Sequence, residues 1–287
     1  MQKRLVIILG PTGVGKTAYS IGTALQYGSP VISCDSRQIY REMTIGTAVP
    51  DASQLQAVKH YFIQTESILQ PRSAAWYETE ALALVRRLFS EGHDTLVMAG
   101  GSMLYVDAVC NGLDEIPETP ADLREELSRR METEGLASLA EELRRLDPET
   151  YAEIDLSNGR RVQRALEVCR VSGRPFSSFK TRTVRQREFA IEKIGLSRPR
   201  AALYARIDAR TDQMMEAGLL EEVRSLLPYR GLPALQTVGY TELFDYLDGK
   251  CTLDEAVARV KQHSRNYAKR QLTWWRRDPD VHWKELE

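Results

Sequence analysis

Near its amino end the chain carries the segment Gly10-Pro11-Thr12-Gly13-Val14-Gly15-Lys16-Thr17. A short apolar run from Leu5 to Leu9 precedes this segment and predicts a buried strand. A helical pattern follows from Thr17 to Tyr27 and stops at Gly28. A G-x-x-x-x-G-K-T segment that joins a strand to a helix is typical of a phosphate-binding loop, and we predict such a loop at residues 10–17.

The residue types in this loop suit an anion. Glycines let backbone N–H groups wrap an anionic group at the start of a helix, where the helix dipole is positive. Lys16 adds a full positive charge, and the hydroxyl of Thr17 is a ligand that Mg²⁺ accepts. The loop therefore predicts that phosphates bind here. It leaves open which phosphates bind and whether they are transferred.

Two further buried-strand patterns are Val31–Cys34 and Thr95–Ala99, and a partly alternating pattern at Phe189–Leu196 and a short segment at His60–Thr65 predict additional strands. Amphipathic helical patterns separate most of these runs, and one pattern, Ala201 to Leu227, predicts a single long helix. Buried strands that alternate with helices indicate the α/β class. We therefore predict a P-loop NTPase-like parallel sheet flanked by helices.

The pattern changes between residues 116 and 155. A proline-containing linker, Ile116 to Pro120, is followed by two charged helical patterns, Ala121 to Glu134 and Leu136 to Leu146. The change predicts a small all-helical insertion domain at residues 116–155. Residues 1–115 and 156–287 then form the P-loop core.

Composition narrows the classes of protein that the chain can belong to. Its 287 residues are 43% hydrophobic and 28% charged, which is ordinary for a globular protein, and no apolar run could span a bilayer or act as a secretory leader. Four scattered cysteines lack the paired spacing of a zinc site or of a disulfide framework. They predict reduced thiols and a cytoplasmic protein.

Charge is unevenly distributed although the net charge is only −1. Between residues 160 and 187 the sole acid is Glu167, whereas the basic residues are Arg160, Arg161, Arg164, Arg170, Arg174, Lys180, Arg182, Arg185 and Arg187. The C-terminal segment places Arg265, Lys269 and Arg270 among the aromatic residues Tyr267, Trp274 and Trp275. Such blocks are compatible with a groove for a polyanion and also with solvated helix faces. The aromatic residues are likewise either stacking platforms for bases or members of the core.

Two strand ends carry further candidates. Asp35 directly follows the second predicted strand, at the edge of the sheet where ligands bind. It therefore either holds a metal or a ligand, moves a proton, or caps the next helical turn. The strand Thr95–Ala99 ends in Gly100-Gly101-Ser102, where ATPases usually carry an aspartate for Mg²⁺ and water. This ending favours a phosphate-binding fold without hydrolytic machinery, although a kinase stays compatible with it.

The ordered set of segments resembles the bacterial tRNA dimethylallyltransferases (tRNA isopentenyltransferases) over nearly the whole chain. The segments that carry the resemblance are residues 10–17, Asp35-Ser36-Arg37-Gln38-Ile39-Tyr40, Ile45-Gly46-Thr47-Ala48, Gly100-Gly101-Ser102-Met103-Leu104-Tyr105, Arg160-Arg161-Val162-Gln163-Arg164-Ala165-Leu166-Glu167-Val168, Val238-Gly239-Tyr240 and Arg265-Asn266-Tyr267-Ala268-Lys269-Arg270-Gln271-Leu272-Thr273-Trp274. Ser102 stands where the family often has threonine, and it keeps the hydroxyl.

The resemblance implies a prenyl transfer. Dimethylallyl diphosphate alkylates the exocyclic N6 amine of the adenine 3′ of the anticodon, in tRNAs that read codons beginning with U, and gives N6-dimethylallyladenosine and pyrophosphate. It implies a monomer, Mg²⁺ on Thr17, Asp35 as general base, and Lys16, Thr17 and Arg210 as catalytic groups at the diphosphate. The diphosphate would lie on Gly10, Pro11, Thr12, Gly13, Val14, Gly15, Lys16 and Thr17.

The resemblance also implies a set of residues that contact tRNA. These are Asp35, Ser36, Arg37, Gln38, Ser102, Arg124, Arg160, Arg161, Val162, Gln163, Arg164, Gln236, Thr237, Val238, Gly239, Tyr240 and Thr241. Arg124 belongs to the helical insertion, which in the family contacts the anticodon stem.

Three alternatives stay open from the residues. A small-molecule P-loop kinase would explain the loop and Asp35 but not the basic segments. The same transfer to free adenine nucleotides would explain the loop and the chemistry without RNA. A non-catalytic RNA-binding module would leave an acidic residue beside a complete phosphate loop without a purpose.

Overall fold

Six parallel strands form one sheet within residues 2–181 and 184–287, the part of the chain that the computed structural model describes. The strands are β1 (Arg4–Leu9), β2 (Val31–Ser33), β3 (His60–Tyr61), β4 (Thr95–Ala99), β5 (Ala190–Ser197) and β6 (Val281–Glu285). Their order across the sheet is β3-β2-β4-β1-β5-β6. The predicted α/β class with a parallel sheet is confirmed.

The described residues form twelve α-helices. They are α1 (Lys16–Tyr27), α2 (Ala52–Ala57), α3 (Ala74–Ser90), α4 (Met103–Asn111), α5 (Ala121–Thr133), α6 (Leu136–Leu146), α7 (Pro148–Glu153), α8 (Gly159–Ser172), α9 (Arg200–Glu216), α10 (Leu219–Ser225), α11 (Tyr240–Leu247) and α12 (Leu253–Trp275). None of the helices in this part of the chain is both long and apolar enough to cross a membrane.

Helices cover both faces of the sheet, as the side chains of β1 demonstrate. Leu5, Ile7 and Leu9 belong to a core that includes residues of α3 and α4. Ile8 belongs to a second core that includes residues of α1, α9 and α12. Because neighbouring residues of a strand point to opposite faces, an apolar run without polar interruptions requires this double cover.

The centre of the sheet positions the phosphate loop. The strand β1 lies between β4 and β5, and the chain leaves β1 toward α1 through residues 10–15. In open parallel sheets, ligands bind beyond the carboxyl ends of the strands near the point where strand order reverses. The loops that follow β1, β2 and β4 all lie at this edge.

Residues Asn111–Arg185 form a second compact unit, which contains α5 to α8. Leu127, Leu143, Val162 and Leu166 lie in its core together with other apolar residues of α5, α6 and α8. The sequence predicted an insertion at residues 116–155, whereas this unit also includes α8. The difference arises because the apolar stripe of α8 packs against α5 and α6.

The single long helix predicted from Ala201 to Leu227 is wrong. Two helices, α9 and α10, occupy this stretch and are separated at Gly218. Gly218 has a φ of +97°, which an α-helix does not contain. Glycine is the residue that adopts this conformation without a steric penalty, so the chain turns there.

Candidate functional site

The loop at residues 10–17 is folded around the ammonium group of Lys16. The Lys16 Nζ donates to the carbonyl oxygens of Gly10, at 2.8 Å, and of Pro11, at 3.0 Å. Gly13 has a φ of +81°, and a Cβ there would lie 2.8 Å from Ile207 Cγ1, so both the conformation and the space require glycine. The amide of Gly13 donates to no other described residue, which leaves it available to an anion.

Two arginines form hydrogen bonds with carbonyl groups of this loop. Arg198 Nε donates to the carbonyl of Val14 and Arg206 Nε donates to the carbonyl of Gly13, both at 2.9 Å. The sequence analysis assigned no role to Arg198, because nothing in its neighbourhood marks it as a partner of a loop that lies far away in the chain. By satisfying the carbonyl groups, these arginines fix the loop and add positive charge beside it.

Burial makes the charged form of the Lys16 side chain less favourable. It lowers the pKa of the ammonium group to about 8, while the Asp35 carboxylate opposes the shift and Arg210 adds to it. A charged amine held by two carbonyl groups in a buried loop is stabilised strongly when an anion arrives. The arrangement suits a binding site that is filled by a phosphate.

Two cavities adjoin at the loop. The loop cavity has a volume of about 670 Å³ and is lined by the phosphate loop with Lys16 and Thr17. The second cavity, of about 550 Å³, is lined by residues after β2 and by parts of α9, α11 and α12. Five residues line both cavities, namely Thr12, Asp35, Thr47, Arg210 and Tyr267. An anionic ligand in the loop cavity and a second ligand in the other cavity would therefore both contact these five residues.

Asp35 caps the turn that follows β2 and also lines both cavities. Its Oδ1 accepts hydrogen bonds from the backbone N–H groups of Arg37, at 2.9 Å, and Gln38, at 3.3 Å, so it caps the turn. Among the described residues, none donates a hydrogen bond to its Oδ2. Asp35 also lines both cavities. One oxygen therefore fixes the side chain, and the other is free for a ligand.

Arg210 lines the shared wall together with Asp35. Its guanidinium group makes no hydrogen bond or ion pair with any residue in the described ranges, although the side chain is partly buried. Burial lowers the pKa of Arg210, and Arg206 adds to the shift while Asp35 opposes it. A cation without a protein partner in such a position is suited to an anionic ligand.

The glycine pair after β4 allows a close approach to the end of β2. A Cβ on Gly100 would lie 2.5 Å from the backbone of Cys34. Ser102 Oγ accepts from the N–H of Ser36 at 2.7 Å and donates to Ser36 Oγ at 2.9 Å. The Ser102 hydroxyl therefore anchors the turn that carries Asp35.

A buried amide, which the sequence analysis missed, connects two loops of the loop cavity. Gln271 of α12 is 1% exposed. Its Oε1 accepts from the N–H of Thr12, and its Nε2 donates to the carbonyl of Gly101, both at 2.8 Å. Tyr267 adds a 3.2 Å hydrogen bond from its hydroxyl to the same carbonyl.

The residues expected to contact tRNA fall into several groups, of which the first lines the second cavity. These residues are Asp35, Ser36, Arg37, Ser102, Gln236, Thr237, Val238, Gly239 and Thr241. The structure thus brings together side chains that are separated in sequence by about two hundred residues.

Gln38 and Tyr240 instead support the loop that contains Thr47. Gln38 Nε2 donates to the carbonyls of Thr47 and Ala48. Tyr240 is fully buried, and its hydroxyl donates to Glu222 at 2.6 Å. The Glu222 carboxylate also accepts three backbone N–H groups, at Thr44, Ile45 and Gly46. Contact between the Tyr240 side chain and RNA does not fit this conformation.

We predict that Tyr240→Phe lowers the free energy of unfolding by about 1–3 kcal/mol, because the charged Glu222 carboxylate loses a half-buried hydrogen bond from the Tyr240 hydroxyl. Chemical denaturation measures the change. Affinity for tRNA should stay at the wild-type value, since the ring is buried. A large loss of tRNA affinity with unchanged stability would instead place this side chain in contact with RNA.

The remaining predicted tRNA contacts belong to the Asn111–Arg185 unit. Arg160 and Arg161 are exposed at the start of α8, whereas Val162 is fully buried. Gln163 and Arg164 bond within the unit, to the Ser128 hydroxyl and the Thr119 hydroxyl respectively. Arg124 is exposed and lies 3.9 Å from Glu167.

Much of the basic block between residues 160 and 187 is neutralised by acids. Its ion pairs are Arg164–Glu167, Arg170–Glu126, Arg170–Glu142, Lys180–Glu153, Arg185–Glu115 and Arg187–Glu78. Arg182 lies outside the described residues. Among the described residues of this block, Arg160, Arg161 and Arg174 are exposed and form no ion pair.

The C-terminal aromatic residues divide between the site and the core. Trp275 is 2% exposed and belongs to the core beneath the sheet. The indole N–H of Trp274 donates to Asp107. Tyr267 alone of the three lines the two cavities.

Comparison with known proteins gives a consistent family assignment. The family model described as IPP transferase matches residues 38–278, which lie entirely after the phosphate loop. The chain is 48% identical over 283 residues to tRNA dimethylallyltransferase 1 of Phocaeicola vulgatus, covering 99% of this chain and 94% of the relative. It is 50% identical over 279 residues to tRNA dimethylallyltransferase 2 of Porphyromonas gingivalis, covering 97% and 93%.

Solved structures agree with these relatives. The tRNA isopentenylpyrophosphate transferase of Bacillus halodurans superposes with a TM-score of 0.70 at 38% identity, over 99% of this chain and 90% of that one. A eukaryotic dimethylallyltransferase acting on tRNA superposes with a TM-score of 0.80 at 24% identity, over 99% and 74%. At that identity the second likeness concerns the fold alone.

Proposed function

The chain belongs to the IPP transferase family, and on that premise we propose that it transfers the dimethylallyl group of dimethylallyl diphosphate to the N6 amine of an adenine in tRNA. The target is the adenine 3′ of the anticodon in tRNAs that read codons beginning with U. The products are N6-dimethylallyladenosine and pyrophosphate. The four free cysteines support the further proposal that the enzyme belongs to the cytoplasm. The proposal of a monomer rests on the family resemblance alone.

One observation supports this function above the others. The loop cavity and the second cavity share the wall formed by Thr12, Asp35, Thr47, Arg210 and Tyr267. A transfer between two bound substrates needs a donor site and an acceptor site that meet at the reacting atoms. The diphosphate of the donor occupies the phosphate loop, and the flipped adenine enters from the second cavity.

The reaction is a displacement at the carbon that carries the diphosphate. The N6 lone pair forms a new bond to that carbon, the carbon–oxygen bond breaks, and its electron pair leaves with pyrophosphate. The amine is a weak nucleophile because its lone pair is delocalised into the adenine ring. Asp35 accepts the N6 proton through Oδ2, while Oδ1 stays bonded to the turn. Such a base contributes a factor of about 10²–10⁴.

Positive charge stabilises the leaving group. Lys16 supplies one cation from the loop, where the Gly10 and Pro11 carbonyls hold its ammonium group, and Arg210 supplies a second cation from the shared wall. Backbone N–H groups of the loop complete the cradle. These groups act where negative charge develops, which is the arrangement that lowers the barrier of such reactions.

A divalent metal fits this site through Thr17. The Thr17 hydroxyl lines the loop cavity and donates to no described residue, and no cluster of three His, Cys, Asp or Glu side chains competes for a metal in those residues. Mg²⁺ prefers oxygen ligands and is usually held by one or two protein groups together with phosphates and water. When bound, it neutralises charge on the diphosphate.

We predict that chelation abolishes transfer. Excess EDTA should reduce the rate to background because diphosphate charge is then left to Lys16 and Arg210, and added Mg²⁺ should restore it. The assay follows prenylated tRNA with time. Full activity in EDTA, after exhaustive dialysis, would contradict a role for a metal at Thr17.

The RNA side of the proposal rests on two sets of residues. Residues of the second cavity contact the flipped adenine and its neighbours, where edges of single-stranded bases can be distinguished. Arg160 and Arg161 in the helical unit, with Arg124, contact phosphates of the anticodon stem. Phosphate contacts fix the position of the RNA and carry no sequence information.

We predict that replacing Arg160 and Arg161 by Gln weakens tRNA binding through charge alone. The slope of log affinity against log salt concentration should fall by up to about 2, since roughly two phosphate contacts are lost. Affinity for dimethylallyl diphosphate should not change. An unchanged salt slope would remove these two arginines from the RNA interface.

The function is tested by transfer of label from dimethylallyl diphosphate in the presence of Mg²⁺. Acceptors are unmodified tRNA, the same tRNA without the target adenine, and free AMP. Label in the first acceptor alone supports the proposal. Label in AMP would favour the nucleotide-modifying alternative. No label in any acceptor, together with ATP turnover without RNA, would favour the small-molecule kinase.

A further inference from the structure

We propose that Gln271 is a positioning residue that holds the phosphate loop in the conformation that binds diphosphate. The proposal rests on the proposed function only in naming a diphosphate as the ligand of the loop cavity. Gln271 lies in α12, far from the loop in sequence, and its side chain is almost fully buried. Its two hydrogen bonds connect the loop after β1 with the loop after β4.

The chemistry of an amide explains why this residue suits the position. Gln271 faces an N–H group, that of Thr12, and a carbonyl group, that of Gly101, so it must accept on one side and donate on the other. A neutral amide does both, a carboxylate can only accept, and a thioether can do neither well. Gly101 must be glycine for this contact, because a Cβ would lie 2.6 Å from Gln271 Nε2.

The bond to Thr12 fixes the direction of a peptide group in the loop. The Pro11 carbonyl, on the same peptide unit as the Thr12 N–H, accepts from Lys16 Nζ at 3.0 Å. One end of this peptide is therefore held by Gln271 and the other by the cation that meets the diphosphate. Without Gln271 the peptide can rotate, and Lys16 loses one of its two fixed carbonyl partners.

The bond to Gly101 acts on the charge in the cavity. Gly101 lines the loop cavity, and its carbonyl oxygen carries partial negative charge that would repel a diphosphate. Donation from Gln271 Nε2 and from the Tyr267 hydroxyl keeps this oxygen occupied. Loss of Gln271 exposes part of that negative charge to the ligand.

Titration calorimetry with inorganic pyrophosphate and Mg²⁺ tests the proposal without requiring transfer. We expect Gln271→Met to bind pyrophosphate about ten-fold more weakly than the wild type, since two hydrogen bonds are lost. Gln271→Glu should bind about a hundred-fold more weakly, because it adds a negative charge beside the ligand. Affinity for tRNA should change less than about two-fold in both variants.

A matched control separates positioning from stability. Trp275 lies one turn further along α12, is buried in the core, and lines neither cavity. Trp275→Leu should lower the melting temperature through the lost packing and leave pyrophosphate affinity unchanged. Should both Gln271 variants fail to fold, Tyr267→Phe removes the other donor to Gly101 and should weaken pyrophosphate binding a few-fold.

Three results would overturn the role of Gln271. The first is wild-type pyrophosphate affinity in Gln271→Met, or in Tyr267→Phe if the Gln271 variants do not fold. The second is a loss of pyrophosphate affinity in Trp275→Leu as large as that in the Gln271 variants. The third is the absence of pyrophosphate binding by the wild type. A wild-type protein that binds pyrophosphate in a Gln271-dependent way but labels no acceptor would refute the proposed transfer alone. The two proposals can therefore fail separately.

Discussion

Asp35→Asn should slow the chemical step by a factor of about 10²–10⁴ while both substrates still bind. Asparagine keeps the Oδ1 acceptor that holds the N–H groups of Arg37 and Gln38, and it caps turns as well as aspartate does. The fold of the turn should therefore survive. The lost property is the ability of the second oxygen to accept a proton from the adenine amine.

The experiment is a single-turnover assay with enzyme in excess over tRNA, at slightly acidic pH. The pH matters because Asp35 raises the pKa of Lys16 against the effect of burial, and the variant lowers that pKa below its wild-type value of about 8. At slightly acidic pH a larger fraction of Lys16 is protonated in both proteins than at neutral pH, so the comparison reports mainly on the base. Near-wild-type chemistry in Asp35→Asn would remove Asp35 as the proton acceptor and leave it an orienting role.

Asp248→Asn serves as the matched control. Asp248 is a surface carboxylate that pairs with Arg230 and Lys250 and lines neither cavity. Removing its charge should leave the single-turnover rate within about two-fold of the wild type. A large effect there would indicate that the rate responds to net charge rather than to a base at Asp35.

Local patterns made the centre of the fold predictable. The run Leu5 to Leu9 is apolar without interruption because both faces of β1 are covered, and the strand is observed at Arg4–Leu9. The glycine that ends α1 adopts φ +58°, as an expected C-terminal cap does. Each of these features depends on residues that are neighbours in the sequence.

Features that depend on distant partners were not predictable. The strand β6 has one buried residue, Val281, followed by four exposed ones, so it lacks the apolar run that marks a strand. It exists because its backbone pairs with β5. Similarly, Gln271 is a polar residue in a mostly polar helix, and only the packing of α12 against the two loops reveals that it is buried.

The basic block shows the same limit for the candidate site. Its arginines and lysines suggested one continuous basic surface, but acids from α5, α6 and other segments pair with most of them. Spacing along one helix cannot show which charges a second helix neutralises. That Arg160, Arg161 and Arg174 form no ion pair within the described residues could be recognised only after the helices were packed.

Arg210→Met should lower the rate of transfer by a factor of about 10²–10³ and at the same time raise the stability of the free protein. Arg210 has no hydrogen-bonding partner among the described residues, and its lowered pKa means that the folded protein disfavours its charge. Because the pKa of Arg210 is lower in the folded protein than in the unfolded chain, burial of the charged guanidinium group reduces stability at every pH at which the group is charged. Removing the charge relieves that cost, and it also removes the cation that meets the leaving pyrophosphate.

The two effects are measured separately, by thermal unfolding without ligands and by single-turnover transfer. Arg200→Met is the control, since Arg200 is exposed on the same helix and lines neither cavity. It should change neither quantity appreciably. Lower stability together with slower transfer in Arg210→Met would mean that Arg210 supports the fold and affects transfer indirectly. Higher stability together with slower transfer would be the result expected of a group whose unfavourable burial is retained for its contact with the diphosphate.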